Sequence, residues 1–388
     1  MQLKGLISLS FGTLGLGITE FVAMGLLPFI AATYGITIAQ AGHFITAYAL
    51  GVAFGAFALL FLRALKLKTI LLMLILVHIT GNLLTVLAPD FNTLLIARFI
   101  AGLPHGSFFG VGSIIAQRIA SKDKGSSAVS IMVAGMTISN IFGVPLGTAL
   151  AEILNFKAIF CVVVIWGVIV LFSCYRWIHD TGKIENTGFF GQFAFLKHPA
   201  PWLVLGATMF GNAGIFCMQS YISPILTELA GIKLHTVPVV LVAMGICMVL
   251  ANFISGRLCD RFTPGKVGAC AQALAVILLL GIDLFGHATA VCITLICLTA
   301  GVLFSLSSPE QVSILRTSPG GLLLGAALVQ AAFNLGNALG ASAGGVPFTF
   351  DLSIRLVTAI GAVLAFIGFW CLLLYARKYE KEFSKTLH

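Results

Sequence analysis

The chain has 388 residues, of which 59% are hydrophobic and 9% are charged, and its mean hydropathy is +1.07. This composition lies far outside that of soluble domains and indicates an integral membrane protein. The net charge of +9 could suggest a nucleic-acid partner, but the basic residues form no stripe with interleaved aromatic residues, so we expect none.

Apolar runs interrupted by glycine, proline or charge predict an all-α membrane protein with twelve transmembrane helices. The first six are predicted at 6–31, 39–62, 68–88, 92–119, 126–154 and 158–178. After a polar stretch, six more are predicted at 201–230, 236–260, 266–285, 288–315, 322–348 and 352–377. We therefore expect an N-terminal six-helix half at 1–178, a cytoplasmic linker at 179–199 and a C-terminal six-helix half at 200–388.

The distribution of basic residues predicts the orientation of the chain. With both termini in the cytoplasm, eighteen of the 22 lysines and arginines fall on the cytoplasmic side. Lys157, Lys233 and Arg355 fall on the other side, and Arg98 falls within the membrane. This asymmetry follows the positive-inside rule. It predicts a multi-pass membrane protein with both termini inside.

The two predicted halves repeat one another. At an offset near 198, Arg63 falls on Arg261. At an offset of 197, Asn140, Gly143 and Gly147 fall on Asn337, Gly340 and Gly344. Two parallel six-helix repeats are the build of one class of secondary transporters, in which the substrate path lies at the interface of the repeats.

The first predicted helix carries one acidic residue, Glu20. An ionised carboxylate in the middle of a bilayer is costly, so it is expected to be protonated, paired or exposed to a wet cavity. The N-terminal run resembles a signal peptide, but its length and its acid predict a retained helix. We expect Glu20 to bind protons or substrate, and a locally hydrogen-bonded acid is the alternative.

Small residues at four-residue spacing recur in several predicted helices. Gly102, Gly106 and Gly110 follow Arg98 in the fourth helix, and Ala47, Gly51 and Gly55 lie in the second. In the fifth helix, Gly135-Met-Thr-Ile-Ser139-Asn140-Ile-Phe-Gly143-Val-Pro145-Leu-Gly147 combines such spacing with a proline. This spacing permits close backbone packing. The number of such helices also suggests that they slide or rock against one another.

With these residues in these helices, the chain resembles the Major Facilitator Superfamily, and within it the twelve-helix proton-coupled drug efflux group. Arg98 to Gly106 resembles the group's fourth-helix motif, and Gly135 to Gly147 its fifth-helix antiporter motif, although Val144 separates the usual Gly-Pro pair. Thr19-Glu20-Phe21 with Gly25-Leu-Leu-Pro28 is most similar to bacterial arabinose-efflux-permease-type exporters. The resemblance implies a gating role for the motif residues and a proton-relay role for Arg98, for which a structural anchor is the alternative.

The resemblance also covers the loop that follows the second helix of each half. Gly256-Arg-Leu-Cys-Asp260-Arg261 matches the family's signature loop in the second half. The first half has Leu62 before Arg63, where the family usually has aspartate. We therefore expect the carboxylate that latches this loop to be missing from the first half.

Further polar residues within predicted helices are candidates for the transport path. A neutral imidazole can relay protons, and among the histidines we favour His105 for coupling, together with Glu20 and Arg98. Asn212 is expected to be the neutral counterpart of Glu20, and Glu310 is expected to be a hydrated gate or a surface acid. The remaining candidates for the substrate path are His43, His78, Asn82, Asn140, Gln219, Asn334 and Asn337.

These features predict a secondary active transporter that exports a small molecule in exchange for protons by alternating access. A sugar or arabinoside and an amphipathic drug are both open as substrates, and proton symport uptake or a non-transporting sensor are alternatives. A membrane enzyme is a further alternative, but the short loops leave no room for a catalytic domain. We expect no enzymatic activity, no cofactor and no metal, and a monomer surrounded by lipid.

Overall fold

The structure is a computed structural model that describes residues 3–36, 38–121, 123–184, 188–233 and 236–383. We number its long helices α1 to α12 and give short helical turns by their residues. The first six are α1 Leu3–Tyr34, α2 His43–Ala58, α3 Leu67–Leu87, α4 Phe91–Ile119, α5 Gly125–Ile153 and α6 Lys157–Trp177. The others are α7 Pro199–Ser220, α8 Val237–Arg261, α9 Pro264–Phe285, α10 Thr289–Ser305 continued by Ser307–Thr317, α11 Leu322–Thr349 and α12 Arg355–Lys378.

Within these described ranges, twelve helices are long and apolar enough to cross a membrane. The predicted all-α, twelve-helix fold is therefore confirmed, and most boundaries agree to within a few residues. The largest difference is in α7, which ends at Ser220 rather than at 230. Pro224 explains this end, because its ring clashes with the carbonyl of the residue four positions earlier. The chain continues as the short turns Ile222–Pro224 and Ile225–Leu229.

Packing divides the chain into two compact units that differ from the predicted halves. The first unit is Met1–Ala194 together with Gly320–Ala331, and the second is Phe195–Pro319 together with Ala332–His388. The start of α11 belongs to the first unit because it packs on α4. The Cβ position of Gly106 lies 3.3 Å from Gln330 Cβ, and that of Gly110 lies 3.2 Å from Ala326 Cβ.

In the first unit, glycines of α5 pack directly on α1. Gly135 lies against the carbonyl of Ser10, and the Cβ position of Gly143 lies 3.3 Å from Ile18 Cγ1. Gly147 lies against Val22, whereas the side chain of Pro145 lies outside the described residues. The predicted close packing of this motif is therefore present for its glycines.

The second unit repeats this arrangement between α11 and α7. Gly336 and Gly340 lie against the carbonyls of Met209 and Ala213. The Tyr221 hydroxyl donates a hydrogen bond to a carbonyl of α11 at 3.0 Å. Gly340 and Gly344, which the offset of 197 relates to Gly143 and Gly147, thus pack α11 on α7 as those two glycines pack α5 on α1.

Candidate functional site

Close packing of α2 against α4 determines where the candidate residues of the first unit lie. Gly51 on α2 lies against the carbonyl of Phe99, and Gly102 on α4 lies against the carbonyl of Tyr48. A β-carbon at either glycine would overlap a backbone atom, so only glycine permits this separation. As a result, residues of α4 on this face come within reach of α2 and α1.

His105 on α4 connects Glu20 of α1 to Tyr48 of α2. Its Nε2 atom lies 3.7 Å from Glu20 Oε2, and its Nδ1 atom lies 2.8 Å from the Tyr48 hydroxyl oxygen. The first distance is too long for a hydrogen bond, and the second is normal for one. The His105 side chain is 1% exposed and that of Glu20 is 13% exposed. An imidazole held between a hydroxyl and a carboxyl is suited to proton transfer.

Arg98 on α4 is fully buried and lies between aromatic rings. Its guanidinium carbon is 4.2 Å from the ring centroid of Phe44 and 4.5 Å from that of Tyr48. One of its Nη atoms donates a hydrogen bond to the carbonyl of Thr19 at 3.1 Å. Cation–π contacts at desolvated sites contribute about 2 kcal/mol. The guanidinium is thereby fixed beside the backbone of α1 next to Glu20, where its charge acts on the carboxyl.

A chain of polar side chains extends from Thr19 into α3. The Thr19 hydroxyl lies 3.4 Å from Asn82 Oδ1, and Asn82 Nδ2 lies 3.3 Å from His78 Nδ1. All three side chains are buried. A cavity of about 10 Å³, lined in part by His78 and Trp166, has room for about one water molecule.

Several buried polar atoms of this cluster have no hydrogen-bond partner within the described part of the chain. They are Glu20 Oε2, His105 Nε2, His78 Nε2, and the Nε atom and one Nη atom of Arg98. Most buried polar groups in proteins are hydrogen-bonded, so each exception requires an explanation. Here they include an acid, a base and a cation, which are the groups that bind water, protons or a polar substrate.

Asn212, the expected counterpart of Glu20, lies elsewhere in its own repeat. The offset of 197 places Glu20 opposite Cys217, which is a buried thiol. Asn212 instead hydrogen-bonds Glu310 in the second unit. Glu310 is 2% exposed, so the expectation of a hydrated or surface acid was wrong.

Two path candidates of the first unit, His43 and Asn140, make no described hydrogen bond to the Glu20 cluster. His43 is exposed at the first position of α2, and the Asn140 amide donates to the carbonyl of Met136 on its own helix at 3.3 Å. In the second unit, Gln219 and Asn337 are partly buried, and each has an amide oxygen without a partner in the described ranges. Asn334 is also partly buried. Their place in the substrate path stays a prediction.

The loop between α2 and α3 is held by the segment that follows α6. Lys66 forms an ion pair with Asp180, and the backbone N–H of Leu67 donates to the carbonyl of Gly182 at 3.1 Å. The hydrogen bond from Lys66 holds the pKa of Asp180 below its usual value. The carboxylate missing at Leu62 is therefore supplied to this loop from another part of the chain.

The equivalent position in the second unit is occupied by Glu380, which follows α12. Its buried carboxylate accepts hydrogen bonds from the Thr263 hydroxyl at 2.7 Å and from the Gly265 N–H at 2.6 Å. It thus caps the N-terminus of α9, where a negative charge is favourable.

The remaining motif residues lie near these loops. Arg63 donates to the carbonyl of Leu60 at 2.8 Å. In the second unit, Gly256 is buried, Asp260 is partly buried and Arg261 is exposed. Their proposed gating roles stay predictions.

Sequence analysis missed Tyr48 and a possible hydrolase pattern. Tyr48 precedes Gly51 by three residues, so it belongs to the face that packs on α4, and this spacing could have identified it. The run Gly340 to Gly344 matches Gly-x-Ser-x-Gly. In hydrolases that pattern forms a turn between a strand and a helix, whereas Ser342 lies inside α11 and donates to the carbonyl of Ala338 at 2.9 Å.

Comparison with protein families identifies one that covers the chain. The Major Facilitator Superfamily model matches residues 9–321 and 220–387. AraJ of Escherichia coli (strain K12), which is named as a transporter, is 40% identical over 386 residues, covering 99% of this chain and 98% of AraJ. A "Probable sugar efflux transporter" of Helicobacter acinonychis (strain Sheeba) is 27% identical, covering 91% of this chain and 90% of that protein.

A solved structure supports the same fold. The E. coli fucose:proton symporter FucP superposes with a TM-score of 0.76, covering 96% of this chain and 98% of FucP. Its sequence identity is 16%, so the similarity extends to the fold alone.

Proposed function

The chain belongs to the Major Facilitator Superfamily, whose members are transporters rather than enzymes, and we propose that it exports a small hydroxyl-bearing molecule of the sugar class in exchange for protons. The twelve apolar helices and the bacterial relatives make it a multi-pass protein of the inner membrane. The observation that carries the proton-coupling proposal is the buried Glu20, His105 and Arg98 cluster with its unpartnered polar atoms.

Glu20 is the proton carrier in this proposal, and its neighbours adjust its charge. The Arg98 cation stabilises the ionised carboxylate, whereas burial stabilises the protonated form. His105, which Tyr48 holds by a hydrogen bond to Nδ1, presents its free Nε2 atom to the carboxyl. A substrate hydroxyl can bind the same unpartnered atoms, so binding of substrate and binding of a proton compete for one site. Such competition is what exchange transport requires.

The sugar class is proposed from two observations. The cluster offers hydrogen-bonding groups beside aromatic faces, and a relative is named as a sugar efflux transporter. An amphipathic drug is the second candidate, because Phe44, Tyr48 and Phe160 also give the site an apolar side.

The direction of proton movement tests this proposal. In non-energised inside-out vesicles, substrate added outside flows inward, so antiport releases protons and acidifies the medium, whereas symport makes the medium alkaline. The added probes are arabinose, an arabinoside and an amphipathic cation, each followed by an external pH electrode. We expect acidification with a sugar. Acidification with the amphipathic cation alone would assign the second substrate class.

Glu20→Gln tests the carrier. We expect it to abolish the pH change, and Glu152→Gln, the same substitution at an exposed residue of α5, to retain it. Full acidification by Glu20→Gln would contradict the role of Glu20. Alkalinisation of the medium by the wild type would contradict export in exchange for protons. If no probe shows saturable exchange between the inside and the outside of the vesicles (counterflow), the result would favour a non-transporting sensor.

A further inference from the structure

The second unit contains a buried carboxyl that the Glu20 cluster does not use. Glu310 on α10 is 2% exposed. Its carboxyl interacts with the side chains of Thr208 and Asn212 on α7 and of Gln272 on α9, while its Oε1 atom has no hydrogen-bond partner in the described part of the chain. At 1.5 Å per residue, Thr208 lies roughly 14 Å from the start of α7, and Gln272 lies roughly 12 Å from the start of α9. The three helices thus contribute polar groups at similar depths.

Two glycines, which have no side chain, create the space for this cluster. A β-carbon on Gly211 would overlap the amide of Gln272, so the glycine lets this amide reach α7. Gly268 on α9 likewise allows a close approach to α10, since its Cβ position lies 3.3 Å from Pro309 Cβ. The positions of the polar groups around Glu310 therefore depend on close helix packing, which these two glycines permit, rather than on mobile surface side chains.

Pro309, immediately before Glu310, also interrupts the backbone hydrogen bonding of α10. A proline has no N–H for the carbonyl four residues earlier, and here that carbonyl, of Ser305, accepts the hydroxyl of Ser255 on α8 instead. The backbone at Leu306, between Thr289–Ser305 and Ser307–Thr317, stays in the right-handed helical region, and the N–H of Glu310 donates to the carbonyl of Leu306 at 3.0 Å. Glu310 thus lies directly after the residue at which the backbone hydrogen bond is missing, and Ser255 contacts the segment before it.

Hydrogen-bonding groups lie close to Glu310 for both the ionised and the protonated form of its carboxyl. The ionised form accepts from Thr208, Asn212 and Gln272. If the carboxylate loses its charge, each donor still has a backbone carbonyl of α7 as an acceptor. The Thr208 hydroxyl, Asn212 Nδ2 and Gln272 Nε2 lie 3.1, 2.7 and 3.4 Å from such carbonyls, respectively. The amide oxygens of Asn212 and Gln272 have no partner in the described ranges and can accept the new O–H.

The side chains that interact with Glu310 among the described residues are neutral, whereas the charge of Arg98 acts on Glu20. The elements packed against this part of α10 carry charged groups at Arg257, Asp260, Arg261, Lys266, Asp283, Glu380, Lys381 and Glu382, and α10 itself carries Arg316. Their titratable thiols are Cys217, Cys247, Cys259, Cys270, Cys292 and Cys297. Glu380 is bonded to the N-terminus of α9, and the Arg316 charge acts on Tyr375 and Cys259.

We propose that Glu310 is a second proton-binding site, whose occupancy controls how the end of α10 is held by α7 and α9. Proton binding converts the carboxylate to a carboxylic acid, which loses its charge and accepts fewer hydrogen bonds. The segment Ser307–Thr317 is then bound less tightly by α7 and α9, and it can move because Pro309 leaves α10 without one backbone hydrogen bond at the start of this segment. The proposal extends proton-coupled transport to the second unit and does not depend on the role of Glu20.

Infrared spectroscopy of the full chain in lipid vesicles tests this site directly. Difference spectra recorded during a pH titration report the carbonyl stretch of protonated carboxyl groups. We expect Glu310→Gln to remove one titrating band and to lower proton uptake by about one proton per chain. Glu20→Gln is expected to leave that band in place. Glu228→Gln, at an exposed residue of the second unit, is expected to leave it as well.

Thr208→Val keeps the carboxyl and replaces the hydroxyl with a methyl group of similar size, so it serves if Glu310→Gln does not fold. We expect it to shift the frequency of the Glu310 band, because one hydrogen bond to the carboxyl is lost. An unchanged band in a folded Glu310→Gln variant, or an unshifted band in Thr208→Val, would overturn the proposal. Either result would leave the acidification test of Glu20 unaffected.

Discussion

The two units hold their buried carboxyls in different surroundings. Glu20 lies on the first helix of its unit, with a histidine 3.7 Å away and an arginine whose charge acts on it. Glu310 lies on the fourth helix of its unit and is bonded to a hydroxyl and two amides. In the first unit an adjacent cation can offset the cost of a buried carboxylate, whereas in the second the ionised form depends on neutral donors.

This difference shows that the repeat preserves packing more strictly than chemistry. Gly143 and Gly340, which the offset of 197 relates, pack on the first helix of their own unit. The same offset relates the carboxyl of Glu20 to the thiol of Cys217. Backbone contacts between helices tolerate only small residues, so those positions repeat, while the buried carboxyl of Glu20 does not.

Arg98→Gln tests the largest difference between the two units, which is the cation beside Glu20. We expect pH-gradient-driven transport to fall by about tenfold or more, because the charge that stabilises the ionised Glu20 carboxylate is lost. Initial transport rates in vesicles measure the effect. Arg176→Gln, at an exposed arginine of α6, is the matched control. Equal rates for both variants would reduce Arg98 to a structural anchor.

Glu380→Gln tests the carboxylate that caps α9. The amide retains one acceptor but loses the charge, so we expect the free energy of unfolding to fall by about 1–2 kcal/mol. A thermal unfolding scan in detergent should show a lowered Tm. Glu382→Gln lies two residues away at an exposed side chain and should change stability by about 0.5 kcal/mol or less. A Tm equal to that of the wild type would mean that the cap is dispensable.

Asp180→Asn removes the corresponding carboxylate of the first unit, and we expect a smaller effect because both members of the ion pair with Lys66 are about half exposed. The pKa of Asp180 is lower in the folded chain than in the unfolded one. Its stabilisation is therefore present above the usual carboxyl pKa and is lost as the pH falls through the lower, folded value. The difference in Tm between variant and wild type should exist at neutral pH and vanish in acid.

A double variant sharpens the Asp180 test. Lys66→Gln combined with Asp180→Asn should destabilise the chain no more than either single change, because the two residues act through one contact. A difference in Tm that persists at low pH, or strict additivity, would contradict a role for this pair.

The sequence predicts the fold and draws attention to Glu20, Arg98 and His105 because both inferences depend on local signals. Apolar length predicts the spans, and a lone carboxylate, guanidinium or imidazole in an apolar run is conspicuous wherever it points. Tyr48 does not stand out in the sequence, because a hydroxyl in a membrane helix is common and becomes significant only when its partner is known. Glu310 was misjudged because its distance from the helix end indicated exposure, whereas neighbouring helices bury it.

Sequence alone determined that this protein is a bundle of twelve apolar helices, repeated after 197 residues, with Glu20, Arg98 and His105 inside it. Hydrophobic length and glycine spacing act along one helix and can be read without its neighbours. Tertiary structure alone decided which polar groups meet: Tyr48 with His105, Asn212 with Glu310, and Asp180 with the loop that lacks an aspartate. Those contacts join residues that are far apart in the chain, so they depend on which helices pack together and at which register.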